Sequence, residues 1–415
     1  MRVLFLSQVL PYPLDAGPRV REYYFLRRLA AGGHDVTLVV FVRGNEKPEH
    51  LQHLRSFCRE VHTVTLRRSA ARDLFYLATS LLGETPFLIA RDGSREMKAL
   101  IHRLTMSEQF DLVHADQLAM ASYAAEIEGP ARLLDEHNAV YLIPRRMAAY
   151  ERFPPKRWLL ALEARKMERY EGRMCRQFDC VLAVTEEDKQ ALRRLMGGDE
   201  GITVIPIAVD CQAVPPVPRR PASHVVLHLG TMFWPPNVDG ILWFAREVLP
   251  LVQRQVPDAK LYVVGRNPPR EVCRLQESPA STVGDQVPPV VVTGYVEDPN
   301  PYFAESAVFI VPIRAGGGMR VKILDAWARG IPVVSTTIGC EGIDVRDGDN
   351  ILVADTAEQF AHAVVEVIAD NVLAERLSLN GRRWVEERYD WRVAYRALDD
   401  VYASLERGHG DLQQA

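Results

Sequence analysis

Long apolar runs are missing from this chain of 415 residues, and no stretch approaches the ~20 uninterrupted apolar residues that cross a bilayer. An excess of positive charge is missing too. The formal net charge of −4 argues against a general nucleic-acid binder, which would be clearly basic. The six cysteines (Cys58, Cys175, Cys180, Cys211, Cys273 and Cys340) include no C-x-x-C pair. That pattern fits free thiols in a reducing cytoplasm better than a disulfide frame or a zinc site. There is no Walker-type glycine–lysine loop, no complete G-x-G-x-x-G, no tandem repeat and no low-complexity tract.

What remains is an ordinary globular composition, 47% hydrophobic and 25% charged, in a length that suits two or three domains with separate cores. The N-terminal "MRVLFLSQVLPYPLDAG" has a short apolar run behind Arg2 and is broken at once by prolines. It reads as a buried first strand rather than a signal peptide, so a cytoplasmic protein is expected.

Short Val/Leu/Ile runs alternate with longer amphipathic stretches almost throughout. In the first half they are "VLFLSQVL", "DVTLVVFV", "VHTVTL", "DLVHAD", "ARLLDEHN", "CVLAVT" and "ITVIPI". Between them lie helix-length segments such as "GPRVREYYFLRRLAAGG", which closes on a glycine pair suited to a helix end. Runs apolar on both faces, alternating with helices, indicate parallel sheets covered on both sides. Four prolines between Asp210 and His224 interrupt the alternation, which restarts with "VVLHLG", "AKLYVVGR", "PVVVTGYV", "VFIVPI", "IPVVSTT" and "NILVAD". The expected organisation is a first domain over 1–212, a proline-rich linker over 213–223, a second domain over 224–385, and a helical segment over 386–415 packing back towards the first domain. The fold class is α/β, two doubly wound Rossmann-like domains facing across a cleft. In such sheets, ligands bind at the carboxyl ends of strands where strand order reverses.

One strand end stands out. "VFIVPI" is followed by "RAGGGMRVKILDAWARG", and a helix is expected to begin near Met319. Gly316, Gly317 and Gly318 then fill the turn before it, where main-chain N–H groups can approach an anion at a helix N-terminus. Arg320 and Lys322 add cations suited to a diphosphate. Ile323, Leu324, Trp327 and Ala328 form the buried stripe, leaving Lys322 and Asp325 on another face, where Asp325 can accept bonds from a ribose diol. The plainer reading is a glycine turn beside a surface Lys–Asp pair.

"GGGMRVKILDAWARGIPVVST" closely resembles the donor-site signature of glycosyltransferase family 4, the "group 1" enzymes of GT-B fold. "GTMFWPPNVDGILWFAREVLP", "LYVVGRNPP", "VVVTGYVEDPNPYFAESAVFIVPI" and "IGCEGIDVRDGDNILVAD" follow in the family's order. "LDAGPR", "GGHDVTLVV", "DLVHAD" and "VIPIAVD" match more loosely in the first half. The resemblance implies a retaining transfer from a nucleoside-diphosphate sugar, UDP- or GDP-linked, with no tightly bound cofactor or metal. It implies that Arg320 and Lys322 neutralise the diphosphate, that Asp325 binds the ribose, and that Tyr295 and Val296 lie near the base. It also implies that the loop at Gly17 approaches the diphosphate and the acceptor. Departures are visible as well. The first of the family's two glutamates is replaced by Gly317, the second by the shorter Asp325, and "TMFWPPN" lacks the Arg–Lys pair many members carry.

In the first half, "DLVHAD" ends on Asp116 where many relatives have a histidine, with His114 on the same face of the strand. "LLDEHN" brings Asp135, His137 and Asn138 to the next strand end. His137 or Asp116 is placed to approach the donor sugar or accept the acceptor's proton; a backbone-satisfied histidine and a capping Asp are the plainer readings. The Asp-x-Asp in "RDGD" (Arg346–Asp349) sits in a glycine-bearing turn and is not read as a metal site. Finally, residues 144–177 hold ten Lys or Arg against four Glu, with aromatics interspersed. Peripheral contact with an anionic membrane or a lipid-diphosphate acceptor is one reading. A solvated helix with paired Glu and Arg is the other. The expected function is transfer of a sugar to a glycan or lipid-linked acceptor in polysaccharide biosynthesis. A nucleotide-sugar epimerase of the same fold and a two-domain sugar sensor are the competing readings.

Overall fold

The computed structural model describes residues 1–14, 17–44, 46–151, 153–198, 201–218, 220, 222–277 and 289–414. Residues 15 and 16 of the loop before Gly17, 219 and 221 of the proline-rich stretch, and 152 of the basic segment lie outside the described residues.

The chain divides into two compact units, Met1–Ala208 with Ala394–Ala415, and Val209–Val393. In the first, the strands are β1 Arg2–Ser7, β2 Asp35–Val42, β3 Glu60–Thr65, β4 Leu112–Asp116, β5 Ala131–Glu136, β6 Cys180–Ala183 and β7 Ile202–Val204. They form one parallel sheet in the order β3-β2-β1-β4-β5-β6-β7. In the second unit, β8 Val225–Leu229, β9 Lys260–Val264, β10 Val290–Gly294, β11 Ser306–Val311, β12 Val333–Ser335 and β13 Leu352–Val353 pair in parallel as β10-β9-β8-β11-β12-β13. Every apolar run read from the sequence lies on one of these strands. The cause is visible in β1, where Val3, Leu4, Phe5 and Leu6 are all fully buried; a strand covered by helices on both faces needs apolar side chains at successive positions.

Chain order reverses between β1 and β4 in the first sheet and between β8 and β11 in the second. Those are the points where the loops leaving adjacent strands diverge and leave room for a ligand.

The proline-rich stretch runs along the second unit. Arg382 donates to the carbonyls of Cys211 and Val214, and the Val217 N–H donates to Arg329 O at 3.0 Å. The last helix, Arg396–Gln414, belongs with the first unit. Tyr395 stands edge-on to Phe25 with ring centres 4.5 Å apart, and its hydroxyl accepts the Ala208 N–H. Tyr402, one helical face further on, places its hydroxyl 2.7 Å from His114 Nδ1. Both tyrosines are almost wholly buried, so the chain's end closes the first unit's core.

Candidate functional site

In the second unit, the segment after β11 is anchored first by Arg314, whose guanidinium makes two bonds to the Asp239 carboxylate on the helix Pro235–Trp243. Gly316 and Gly318 then take φ values of +131° and +84°, which residues with a Cβ adopt only at a cost in strain. The helix begins at Val321 rather than near Met319, because Arg320 has a non-helical backbone and serves as its N-cap position. Arg320 does not point outward. It is only 5% exposed, its Nη1 donates to the carbonyls of Gly317 and Gly318, and its guanidinium lies over the Trp234 ring at 5.2 Å.

Lys322 reaches across the reversal point. It is half-buried, and its Nζ donates to Asn237 Oδ1 at 2.9 Å, on the helix that follows β8. Asn237 is held in turn through Nδ2 to Thr231 O. The approach is so close that a Cβ on Gly230 would lie 2.6 Å from Nζ and would displace it. Lys322 has no carboxylate partner among the described residues. Burial and the neighbouring Arg320 push its ammonium down to about 7. His228 on β8 feels the same ammonium; burial first, then Lys322, keeps it neutral with its ordinary pKa well depressed.

Asp325 lies one turn further along and pairs with Arg329 Nη1 at 2.5 Å, not with Lys322, so the surface Lys–Asp pair of the plainer reading does not form. Tyr295 follows β10, two strands from the reversal point; it is 62% exposed under the Arg266 guanidinium, with Val296 half-buried beside it. In the "RDGD" turn, Asp347 accepts the Val353 N–H and Asp349 accepts from Asn380, both structural uses.

The first unit gathers its charges at the ends of β1, β4 and β5. Gly17 is the first residue of the helix Gly17–Ala31, which delivers Arg21 and Glu22 into the interior. Arg21 is fully buried and makes bonds of 2.7–3.1 Å to both oxygens of Asp135, with Nη1 also donating to Ile205 O. His137 Nε2 lies 3.0 Å from Asp116 Oδ1 and 3.5 Å from Asp135 Oδ2. Burial alone would lower its pKa, but the two carboxylates prevail and raise it to about 9, so it is an imidazolium at neutral pH. Asp135 stays well below the usual carboxylate range; burial opposes ionisation there, but Arg21 and His137 outweigh it. Glu22 behaves in the opposite way. Burial and the nearby Asp116 raise it well above its ordinary value, while Ser7 and Gln117 donate to its two oxygens. The Glu22 carboxyl, its charged form disfavoured, therefore sits against Asp116. Gln117 is held at φ +67°, ψ 151°, a conformation that costs a non-glycine residue about 1–3 kcal/mol and is found where tertiary contacts enforce it.

Glu22, Asp116 and His137 come near enough to one another for a metal ion, as do His114, Asp116 and Asp135. In the structure these groups engage one another and their neighbours: His137 pairs with Asp116, Asp135 with Arg21, and His114 Nδ1 lies against the Tyr402 hydroxyl. His114 is held neutral, its pKa pushed down to about 4 by burial.

The sequence singled out Asp116, His137 and the glycine loop as candidates and did not single out Arg21 and Glu22, which the structure brings to the same strand ends. Their signal was present: Arg21 precedes Phe25 by one turn, and Glu22 precedes Leu26 and Leu29 on the apolar stripe of the same helix.

Two parallel, doubly wound units, each with polar groups gathered where its strand order reverses, define the GT-B class of α/β proteins. The chain belongs to the group 1 glycosyltransferases, glycosyltransferase family 4. Residues 17–213 match the family described as Glycosyltransferase Family 4, and residues 223–370 match that described as Glycosyl transferases group 1. The chain is 22% identical, over 96% of its length and 98% of the relative's, to an uncharacterized 44.6 kDa protein in the cps region of Klebsiella pneumoniae. It is 33% identical to the lipopolysaccharide core biosynthesis glycosyltransferase LpsE of Rhizobium meliloti, over 27% of this chain and 32% of that one. Among solved structures, Anabaena HepE in complex with UDP superposes with a TM-score of 0.69 at 14% identity, covering 97% of this chain and all of that one. No helix among the described residues is long and apolar enough to cross a membrane.

Proposed function

We propose that this glycosyltransferase moves a sugar, with retention of anomeric configuration, from a UDP- or GDP-sugar to a glycan or lipid-linked acceptor in polysaccharide biosynthesis, without a tightly bound metal. The observation that carries the reading is Lys322: a half-buried ammonium with no carboxylate partner among the described residues, held at the reversal point of the second sheet. A diphosphate supplies the charge it lacks. Gly316, Gly317 and Gly318 present main-chain N–H groups to the same anion, and Arg320, folded over them, adds a second cation. Asp325 serves the ribose diol by sharing or exchanging its bond to Arg329, and Tyr295 with Val296 borders the base. The UDP complex of HepE supports a nucleotide ligand, and the LpsE likeness supports a polysaccharide setting.

In the first unit we assign Asp116 as the base that accepts the acceptor's proton. Its Oδ2 has no hydrogen-bond partner among the described residues, and His137 Nε2 lies 3.0 Å from its Oδ1. His137 is already protonated, so it positions Asp116 and steadies its charge. Gly17, at the head of the helix bearing Arg21 and Glu22, borders the same strand ends.

Peripheral contact with an anionic membrane is narrowed to the start of the basic segment. Glu163, Lys166 and Glu171 are spent on main-chain groups of neighbouring segments, whereas Met147, Phe153 and Trp158 are largely exposed near Lys156 and Arg157. No sedimentation with anionic liposomes at low salt would remove this contact.

The function is tested by thermal stabilisation against a panel of UDP-, GDP- and ADP-sugars, followed by an NMR time course. At least one UDP- or GDP-sugar is expected to raise the melting temperature and to be consumed only with acceptor present. Stabilisation by none of them overturns the reading; conversion of the donor alone into an epimer replaces transfer with epimerisation.

A further inference from the structure

A cavity of about 600 Å³ opens in the first unit at the end of β3, away from the Asp116 cluster, between the helices Ala70–Leu82 and Arg95–Ser107. Its charged lining is Arg67, Arg72 and Arg95 against a single carboxylate, Glu96. Arg72 is a structural member, donating to Arg67 O at 3.1 Å and Gly93 O at 3.0 Å. Arg67 and Arg95 form no ion pair among the described residues. The start of the helix Arg95–Ser107 faces the same space; Ser94 caps only the Met97 N–H, leaving those of Arg95 and Glu96 without intrahelical acceptors at the positive end of the helix. Cations are crowded just behind the wall. Arg91 is pulled below its ordinary pKa by burial and then by Arg68.

The helix Ala70–Leu82 is two-faced. Arg72 and Tyr76, one turn apart, look into the cavity. Around the helix from them, Leu74, Phe75, Leu81 and Leu82 recur at intervals of seven and eight and are exposed, Phe75 by 61% and Leu82 by 93%. An anion-binding recess thus lies beside an uncovered apolar strip on one short helix.

We propose that this recess holds the phosphate or pyrophosphate group of a lipid-linked acceptor, with its hydrocarbon chain along Leu74, Phe75, Leu81 and Leu82. The assignment of the ligand as acceptor rests on the transferase reading; the anion site itself does not. The probes are farnesyl diphosphate, inorganic pyrophosphate and farnesol, titrated calorimetrically below the micellar concentration into the full chain and its variants. Arg67→Ala/Arg95→Ala removes two exposed, unpaired cations and should leave the fold intact, checked by circular dichroism. It should weaken both diphosphates at least tenfold, in a Lys322→Met background as well as in the natural chain. Phe75→Ser/Leu82→Ser should weaken farnesyl diphosphate at least fivefold and leave pyrophosphate unchanged. Affinities untouched by the arginine changes, or no binding of either diphosphate, overturn the site. Equal affinity for pyrophosphate and farnesyl diphosphate, insensitive to the Phe75 and Leu82 changes, overturns the lipid-linked occupant in favour of a soluble anionic glycan. Stabilisation of the natural chain by nucleotide sugar is a separate measurement, so either proposal can fail while the other stands.

Discussion

Lys322 carries a pH signature. Its ammonium titrates at about 7 in the free protein because burial and Arg320 disfavour the charge. A bound diphosphate favours the charged form, so binding takes up a proton. Nucleotide affinity should be highest below pH 7 and fall as pH rises through and above 7. Calorimetry at pH 7.5 in buffers of different ionisation enthalpy reads the uptake directly; a flat affinity between pH 6 and 8.5 would remove Lys322 from the anion site. Stability moves the other way. The unfolded chain binds more protons between pH 7 and the ordinary lysine value, so this group's contribution to stability improves as pH rises across that interval. Lys322→Met should therefore raise the melting temperature at pH 7 or below, by about 2–4 °C for each kcal/mol of relieved desolvation, while weakening nucleotide binding by about 1.5–3 kcal/mol. Asp116→Asn is the matching test in the first unit. Without that carboxylate the His137 pKa should drop below its present value of about 9, seen by NMR titration of the ring protons. Loss of a general base should cut transfer about 10²–10⁴-fold. Because the raised His137 pKa stabilises the fold fully below the ordinary histidine value and ceases to do so as pH passes about 9, the variant should also lose most stability below the ordinary histidine value and least above 9.

Single elements show why the site works as a clasp between strands. The turn after β8 carries glycine at position 230, and a Cβ there would meet Lys322 Nζ at 2.6 Å and Asn237 Nδ2 at 2.9 Å. The nearer atom is the end of a flexible side chain, so Gly230→Ala should fold with little loss of stability. Nucleotide affinity should nevertheless fall, because Lys322 must leave Asn237. An unchanged affinity, measured by calorimetry, would show that the Lys322–Asn237 bond is dispensable. Elements were also the scale at which the sequence was most legible. Runs such as "VFIVPI" and "VVLHLG" announce buried parallel strands because both faces must be apolar, and the glycines at 316–318 mark a turn by composition alone. The first unit's cluster was less legible. Asp116 and His137 are visible at strand ends, but the cluster is completed by Arg21 and Glu22, which come from a helix nearly a hundred residues before Asp116. The setting of Arg320 was illegible for a related reason: sequence spacing does not show that its guanidinium folds back onto the Gly317 and Gly318 carbonyls. Lys322 paired with Asn237, rather than Asp325, is a contact 85 residues apart that no local pattern encodes.

At the scale of the molecule, the first unit is built from both ends of the chain and the second from its middle. Tyr395 and Tyr402 occupy the first unit's core against Phe25 and His114. A fragment covering 209–393 should therefore melt cooperatively by itself. A fragment covering 1–208 should lose cooperative melting, with large exposure of apolar surface to a dye such as ANS, and recover when a peptide covering 394–414 is added. Cooperative melting of 1–208 alone would make the terminal helix an accessory.

That arrangement has a consequence during synthesis. A ribosome finishes the middle of this polypeptide before the segment that seals its beginning has left the exit tunnel. Maturation order is thus inverted relative to translation order: the unit over 209–393 can settle early, while the earlier-made unit waits for residues 394 onward before its charged interior is shut away from water.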